Sequence, residues 1–475
     1  LTSDARLTPG ARLRLSTILP FSVPNLPIAA LWVIVFVSLP PYFAGHLGVS
    51  MTIIGAVWML VRLLDIPVDL LLAVAMDRTR TPLGRYRLWL IVGTPVLMLA
   101  LYKLFMAPHG FSGAYLFGWL AVMYLGTSIM GLAHQAWAAT LTSHYHERSR
   151  LFGVITAVGV VGVMAALAIQ IGAPALKLTD AQGVQTSGWF IIILLPITVA
   201  IASAVTKERI PLDIKKERFA LKDYWEVLSK PDLVRLFLSQ MALTLGPGWM
   251  SAIYLFFFKV SRGYSTQQAY ILLAVYILAG IPGALLTAAL ARRIGKHRTL
   301  MVTTTAFSLG LFSVFVTPKA NVLAALPSMI WAGAMASGFG LMIQAMLADV
   351  GDEVRLDQGK QRISLLYAVN TMASKIAAAF AIGLTFPLLA RLGFNPAEGA
   401  VNTPQAIRNL DIAFLAGPIV FVMLGGACVI GWRLDARRHG EIRAKLEARD
   451  AALEDEGLLS EAPALRPSMD PEIAG

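Results

Sequence analysis

The chain has 475 residues, of which 57% belong to the set Ala, Val, Ile, Leu, Met, Phe, Trp, Tyr and Cys and only 14% are charged, against about 25% charged in an ordinary soluble domain. A mean hydropathy of +0.67 agrees: most of the chain faces lipid or other apolar helices, which excludes a water-soluble enzyme. Nucleic-acid binding is excluded with it, because the net charge of +12 must sit on loops and tails rather than on one basic domain face.

Apolar runs follow one another along the chain, at 21–45, 50–76, 88–107, 113–141, 151–175 and 188–206, then at 232–257, 268–291, 299–318, 322–348, 364–390 and 410–432. At about 22 residues per crossing the length suits roughly twelve spans. The spacing therefore predicts an all-α integral membrane protein of twelve transmembrane helices in two six-helix halves, 1–206 and 232–433. Between them lies a central loop, 207–231, and after them a tail, 434–475, helical at first and then disordered. The first run is too long for a cleavable signal, and the chain stays hydrophobic after it. The single cysteine, Cys428, lies in an apolar run and excludes a disulfide framework or a thiolate zinc site.

Orientation follows from the basic residues between spans. Of 40 lysines and arginines, seven fall on one side: Lys103, Lys177, Lys259, Arg262, Lys319, Arg391 and Arg408. Arg62 and Lys375 lie within spans, and all the others fall on the opposite side. Both termini are thus expected in the cytoplasm. A short echo supports two related halves: Gly84-Arg85-Tyr86-Arg87 follows the second span and Gly295-Lys296-His297-Arg298 follows the eighth. In the tail, Glu441 with Lys445 and Arg443 with Glu447 stand at helical spacing, as on a solvated or interfacial helix.

Three ionisable residues, Arg62, Asp65 and Asp69, crowd the middle of the second span. Each costs about 2.5–3.5 kcal/mol at a helix centre, so each needs a partner. Asp65 and Asp69 are four residues apart and point to one face. Two carboxylates so close in a low dielectric hold a cation between them or share a proton, which makes the pair a candidate site for Na⁺ or H⁺; Na⁺ would be the metal if coupling is to sodium. Pro67 lies between them and removes one backbone hydrogen bond. Arg62 offsets part of their charge. Lys375, in the eleventh span, could pair with the acids when no cation is bound and release them on loading.

These residues carry a resemblance. Arg62-Leu63-Leu64-Asp65-Ile66-Pro67-Val68-Asp69, with Thr79-Arg80 and Gly84-Arg85 beyond it, resembles the glycoside-pentoside-hexuronide:cation symporter family of the major facilitator superfamily, of which melibiose permease is a member. Ala348-Asp349 with Asp352-Glu353, Arg362, Tyr367, Asn370, Thr371 and Lys375 form a second matching block, and Glu147-Arg148 with Arg150 a third. The resemblance implies a cation site at Asp65 and Asp69 helped by a hydroxyl of the fourth span, Ser128 or Thr127. It implies coupling through Lys375, and a sugar pocket lined by Tyr367, Asn370 and Thr371. Where melibiose permease has sugar-binding acids, this chain has Ala29 and, near the second position, Gly131; where the family has a cation-site Asn it has Val68. A melibiose-like galactoside is therefore not the expected solute, and a carboxylate-bearing or more hydrophobic molecule fits better.

His134, Gln135 and Trp137 of the fourth span are further candidates for the pocket, and Trp58, Trp249, Tyr254 and Trp331 could stack on a ring. Arg148, Asp349, Asp352 and Arg362 are candidates for ion pairs at a cytoplasmic gate. The expected function is cation-coupled symport of a glycoside, uronide or related small polar solute by alternating access. Alternatives are a carrier or flippase of an amphiphile such as a lysophospholipid, and a non-transporting membrane receptor. No phosphate-cradling glycine loop is present, so ATP hydrolysis is not expected, nor is a cofactor beyond the coupling ion. The expected partners are the solute and membrane lipid, and the expected state is a monomer.

Overall fold

A computed structural model describes residues 14–141, 145–206, 208, 230–358 and 363–455. Arg362, most of the expected central loop and the tail beyond residue 455 lie outside the described residues.

The chain is a succession of long helices. The first six are α1 (Leu15–His46), α2 (Met51–Arg78), α3 (Tyr86–Phe105), α4 (Gly113–Leu141), α5 (Tyr145–Gly172) and α6 (Asp180–Val205). The second six are α7 (Pro231–Ser261), α8 (Thr266–Ile294), α9 (Lys296–Val316), α10 (Val322–Gln358), α11 (Ile363–Arg391) and α12 (Pro404–Ala427). A thirteenth helix, α13 (Ala436–Asp455), follows. Among the described residues, 11 helices are long and apolar enough to cross a membrane. The remaining one of the twelve is α2, 28 residues long, which carries Arg62, Asp65 and Asp69. Its length is enough for a crossing.

Several boundaries differ from those the hydropathy suggests, and local chemistry explains them. Thr179 with Gln182, and Ser265 with Gln268, form capping boxes. These start α6 and α8 ahead of their apolar runs, because the exchanged side-chain bonds satisfy the free N–H groups of the first turn. α10 continues to Gln358, so Asp349, Asp352 and Glu353 stand on a helix and not in a loop. The carboxylate of Glu208 accepts the backbone N–H of Tyr86 and Arg87 at 3.0 Å, where the positive end of α3 favours an anion.

The two halves meet where α2 packs on α11, α5 on α8 and α1 on α7. They also share a detail of backbone. α1 ends in a π-helical turn, Tyr42–His46, and α7 in another, Phe257–Ser261. Each is closed by a glycine in the left-handed region, Gly48 at φ 69° and Gly263 at φ 70°, a conformation that Cβ disfavours. Ser50 and Ser265 then stand at the starts of α2 and α8.

α13 lies against α10. Its Ile442 and Leu446 are buried, and Arg438 pairs with Glu353 at 3.0 Å. At its start Asp435 accepts the N–H of Arg438 at 2.9 Å, a bond that holds this carboxyl below its ordinary range. The tail helix is therefore seated on the protein along one face rather than solvated all round.

Candidate functional site between the halves

α2 runs unbroken through Pro67 and turns Arg62, Asp65 and Asp69 toward α4 and α11. Asp65 is 3% exposed and every bond it accepts is from a side chain with a polar hydrogen. Ser128 Oγ donates to its Oδ1 at 2.8 Å, while Arg62 Nη1 and Lys375 Nζ donate to its Oδ2 at 3.1 and 2.7 Å. The same ammonium donates to Asp69 Oδ2. Asp69 Oδ1 is buried without a partner among the described residues. Two acids thus face two bases, and the group is electrically balanced, as burial demands.

The Arg62 guanidinium lies over two adjoining rings, 5.0 Å from the centroid of Tyr124 and 5.4 Å from that of Trp32, whose centroids are 5.8 Å apart. Its Nε has no partner among the described residues. Neither aromatic was expected from the sequence, because an aromatic residue in a span looks the same whether it packs or binds.

A cavity of about 1160 Å³ extends from Asp69 and Lys375 toward the side that carries α13, reaching Arg148 on α5. Tyr367, Thr371 and Lys375 line it at intervals of four residues, one face of α11. Asn370 is one residue off that register; it is buried, with Oδ1 unpartnered among the described residues, and is not in the cavity wall. On α4, Thr127, Ser128, His134 and Gln135 line the cavity. Thr127 Oγ1 donates to the carbonyl of Tyr124 at 2.8 Å, and His134 Nε2 is bonded to the carbonyl of Phe21 at 2.8 Å. Trp137 is fully buried against the edge of Phe21, with centroids 5.1 Å apart, and packs in the core.

Asp349 and Asp352 face other partners than Arg148. Lys296 Nζ donates to Asp349 at 2.6 and 2.7 Å. His439 of α13 lies 3.2 Å from Asp352 and 3.4 Å from Asp349. Arg148 instead stands exposed at the cavity wall.

At the opposite end the halves are joined. Asp180 of α6 accepts from Lys259 Nζ at 2.5 Å and from Thr266 Oγ1 at 2.6 Å. The hydroxyls of Ser38 and Tyr270 share a bond of 2.8 Å, and Glu398 donates its N–H to the carbonyl of Gly45 at 3.2 Å. One side of the molecule is therefore open to the site and the other is latched.

Twelve helices in two halves, with balanced charges at their junction and access from one side, define a secondary transporter of the major facilitator type. The profile of the MFS/sugar transport protein family matches residues 20–436, and the chain belongs to that family. It is 23% identical over 426 residues to the isoprimeverose transporter of Lactiplantibacillus pentosus, covering 86% of each chain. It is 22% identical to the glucuronide carrier protein homolog of Escherichia coli (strain K12), over 86% of this chain and 90% of that one. These relatives agree with the glycoside-pentoside-hexuronide symporter resemblance. Among solved structures, the nucleoside transporter NupG superposes with a TM-score of 0.63 at 14% identity, over 87% of this chain and 98% of that one. A bacterial homolog of the human lysosomal transporter Spinster, inward-facing and unoccupied, gives 0.58 at 14% identity, over 91% and 97%. Both share the fold.

Proposed function

We propose that this chain is a cation-coupled symporter of a glycoside, uronide or related small polar solute, working by alternating access in a bacterial inner membrane with both termini cytoplasmic. Segments 1–206 and 232–433 are the moving halves, and the present arrangement is then open to the cytoplasm. The observation that carries this reading is the bridge from Lys375, on one half, to Asp65 and Asp69, on the other. A cation or proton arriving at the acids competes with the ammonium, so occupancy and the tie between halves are coupled by one charge balance. Ser128 completes the oxygen set around Asp65, and Na⁺ and H⁺ are both suited to it.

The test is uptake into proteoliposomes under an imposed Na⁺ or pH gradient, with a panel of glycosides and uronides. Asp65→Asn and Asp69→Asn should each abolish ion-driven uptake while the protein still inserts. Wild-type uptake in either variant ends the proposal, and solute flux that is absent under every gradient favours a non-transporting receptor.

A further inference from the structure

The space between the halves is two chambers. Past Lys375, toward the latched end, a second cavity of about 560 Å³ opens, and its wall is mainly carbon. Trp32 and Phe36 of α1, Met250 and Tyr254 of α7, and Tyr276 and Ile277 of α8 form most of it. Trp32 and Phe36 stack with centroids 5.6 Å apart. The Tyr254 hydroxyl donates to the carbonyl of Ala269 at 2.8 Å, so its ring presents hydrocarbon to the chamber. Thr244, Ser251 and Ser374 add hydroxyls at intervals, and Thr244 Oγ1 already accepts from Gln240 at 2.9 Å.

The border between the chambers is polar. Trp32, Arg62, Thr371 and Lys375 line both, and Arg62 Nε there has no partner among the described residues. A free sugar has hydroxyls on every edge, and those turned into a carbon-walled chamber would lose water without gaining partners. An apolar group loses little by entering and gains from leaving water.

We propose that the chamber walled by Trp32, Phe36 and Tyr276 is an aglycone subsite. The preferred solute is a glycoside with an aryl or short alkyl aglycone, its sugar ring held at the border by Arg62, Thr371 and Lys375. This rests on the reading of the chain as a glycoside carrier and names the class of glycoside.

The experiment is a binding titration of the full chain in lipid nanodiscs, using methyl, phenyl and 4-nitrophenyl glycosides of glucose, galactose, xylose and glucuronic acid. For whichever sugar binds, the phenyl glycoside should bind about tenfold or more tightly than the methyl glycoside. Ala378→Phe, which fills the chamber, and Ile277→Gln, which makes it polar, should each reduce that ratio to about threefold or less. Methyl glycoside affinity, which also reports that each variant is folded, should stay within about twofold. Equal binding of methyl and phenyl glycosides by the wild-type protein overturns the subsite and leaves the carrier reading standing. A phenyl preference that survives both variants puts the aglycone elsewhere and overturns it too. Binding of no glycoside of any of the four sugars overturns the carrier reading itself.

Discussion

Lys375 of α11 reaches Asp65 of α2 at 2.7 Å, and this contact crosses from one half to the other at the border of the two chambers. Its ammonium also serves Asp69, so one side chain holds both acids. Lys375→Val leaves two carboxylates facing Arg62 alone, an imbalance inside a membrane. Ion-driven uptake in proteoliposomes should fall at least about tenfold, in keeping with the loss of a buried charge partner. Unchanged ion dependence would remove the lysine from the mechanism.

Ser128 contributes one bond, 2.8 Å long, to Asp65. Hydrogen bonds to charged groups contribute about 1.5–3 kcal/mol. Ser128→Ala should raise the half-saturating concentration of the driving ion about tenfold while maximal uptake at saturating ion changes little, as read from uptake across an ion titration. Equal half-saturation in the two proteins would place the hydroxyl outside the ion site.

The latch of Asp180 to Lys259 is half exposed, and pairs of that kind contribute at most about 1 kcal/mol. Asp180→Asn should therefore shift the balance toward opening at that end by up to about fivefold. Alkylation of a cysteine placed at Val184, in a Cys428→Ser background, by a membrane-impermeant maleimide should speed up accordingly. An unaltered labelling rate means that the pair does not bias access.

α8 and α10 touch backbone to backbone: a Cβ on Gly333 would lie 2.0 Å from the carbonyl oxygen of Tyr276, and one on Gly283 would lie 2.2 Å from that of Ala334. Gly333→Ala should push the helices apart and lower the thermal midpoint by several degrees. Gly131→Ala, with nothing within 4 Å of its Cβ, is the control and should melt with the wild-type protein.

Asp435 is held below the ordinary aspartate value of 3.8 by the N–H of Arg438. A depressed carboxyl stabilises the folded tail above the unfolded pKa and stops doing so as pH falls through the folded one. A spin label at Arg449 should be immobile at pH 7 and gain mobility below about pH 4, whereas a label that is mobile at pH 7 would mean α13 is not docked.

The spans and the charged residues within them were legible because both stand out against an apolar background: Arg62, Asp65, Asp69 and Lys375 needed partners, and the structure places them together. The partners of Asp349 were not. Lys296 is 53 residues away and His439 is farther still, and nothing local ties them to it. The resemblance sets Asn370 among the pocket residues, and Trp137 stands close to Gln135 in the chain, yet one position from Thr371 and two from Gln135 turn them by about 100° and 200° around their helices. The capping boxes at Thr179 and Ser265 were legible as a hydroxyl followed three residues later by Gln, and hydropathy alone passes over them. So was the likeness of Tyr42-Phe43 with Gly48 to Phe257-Phe258 with Gly263, although only the backbone shows why the glycines recur.

The docking of α13 on α10 has a practical side. Its bonds to Asp352 and Glu353 fasten it to the second half, so under the proposed alternating access it travels with that half. A fluorophore on its outer face, paired with one beside Arg78 at the end of α2, would turn each proposed rocking stroke into a change of energy transfer, giving a single-molecule test of that motion whose dyes stay clear of the cavity.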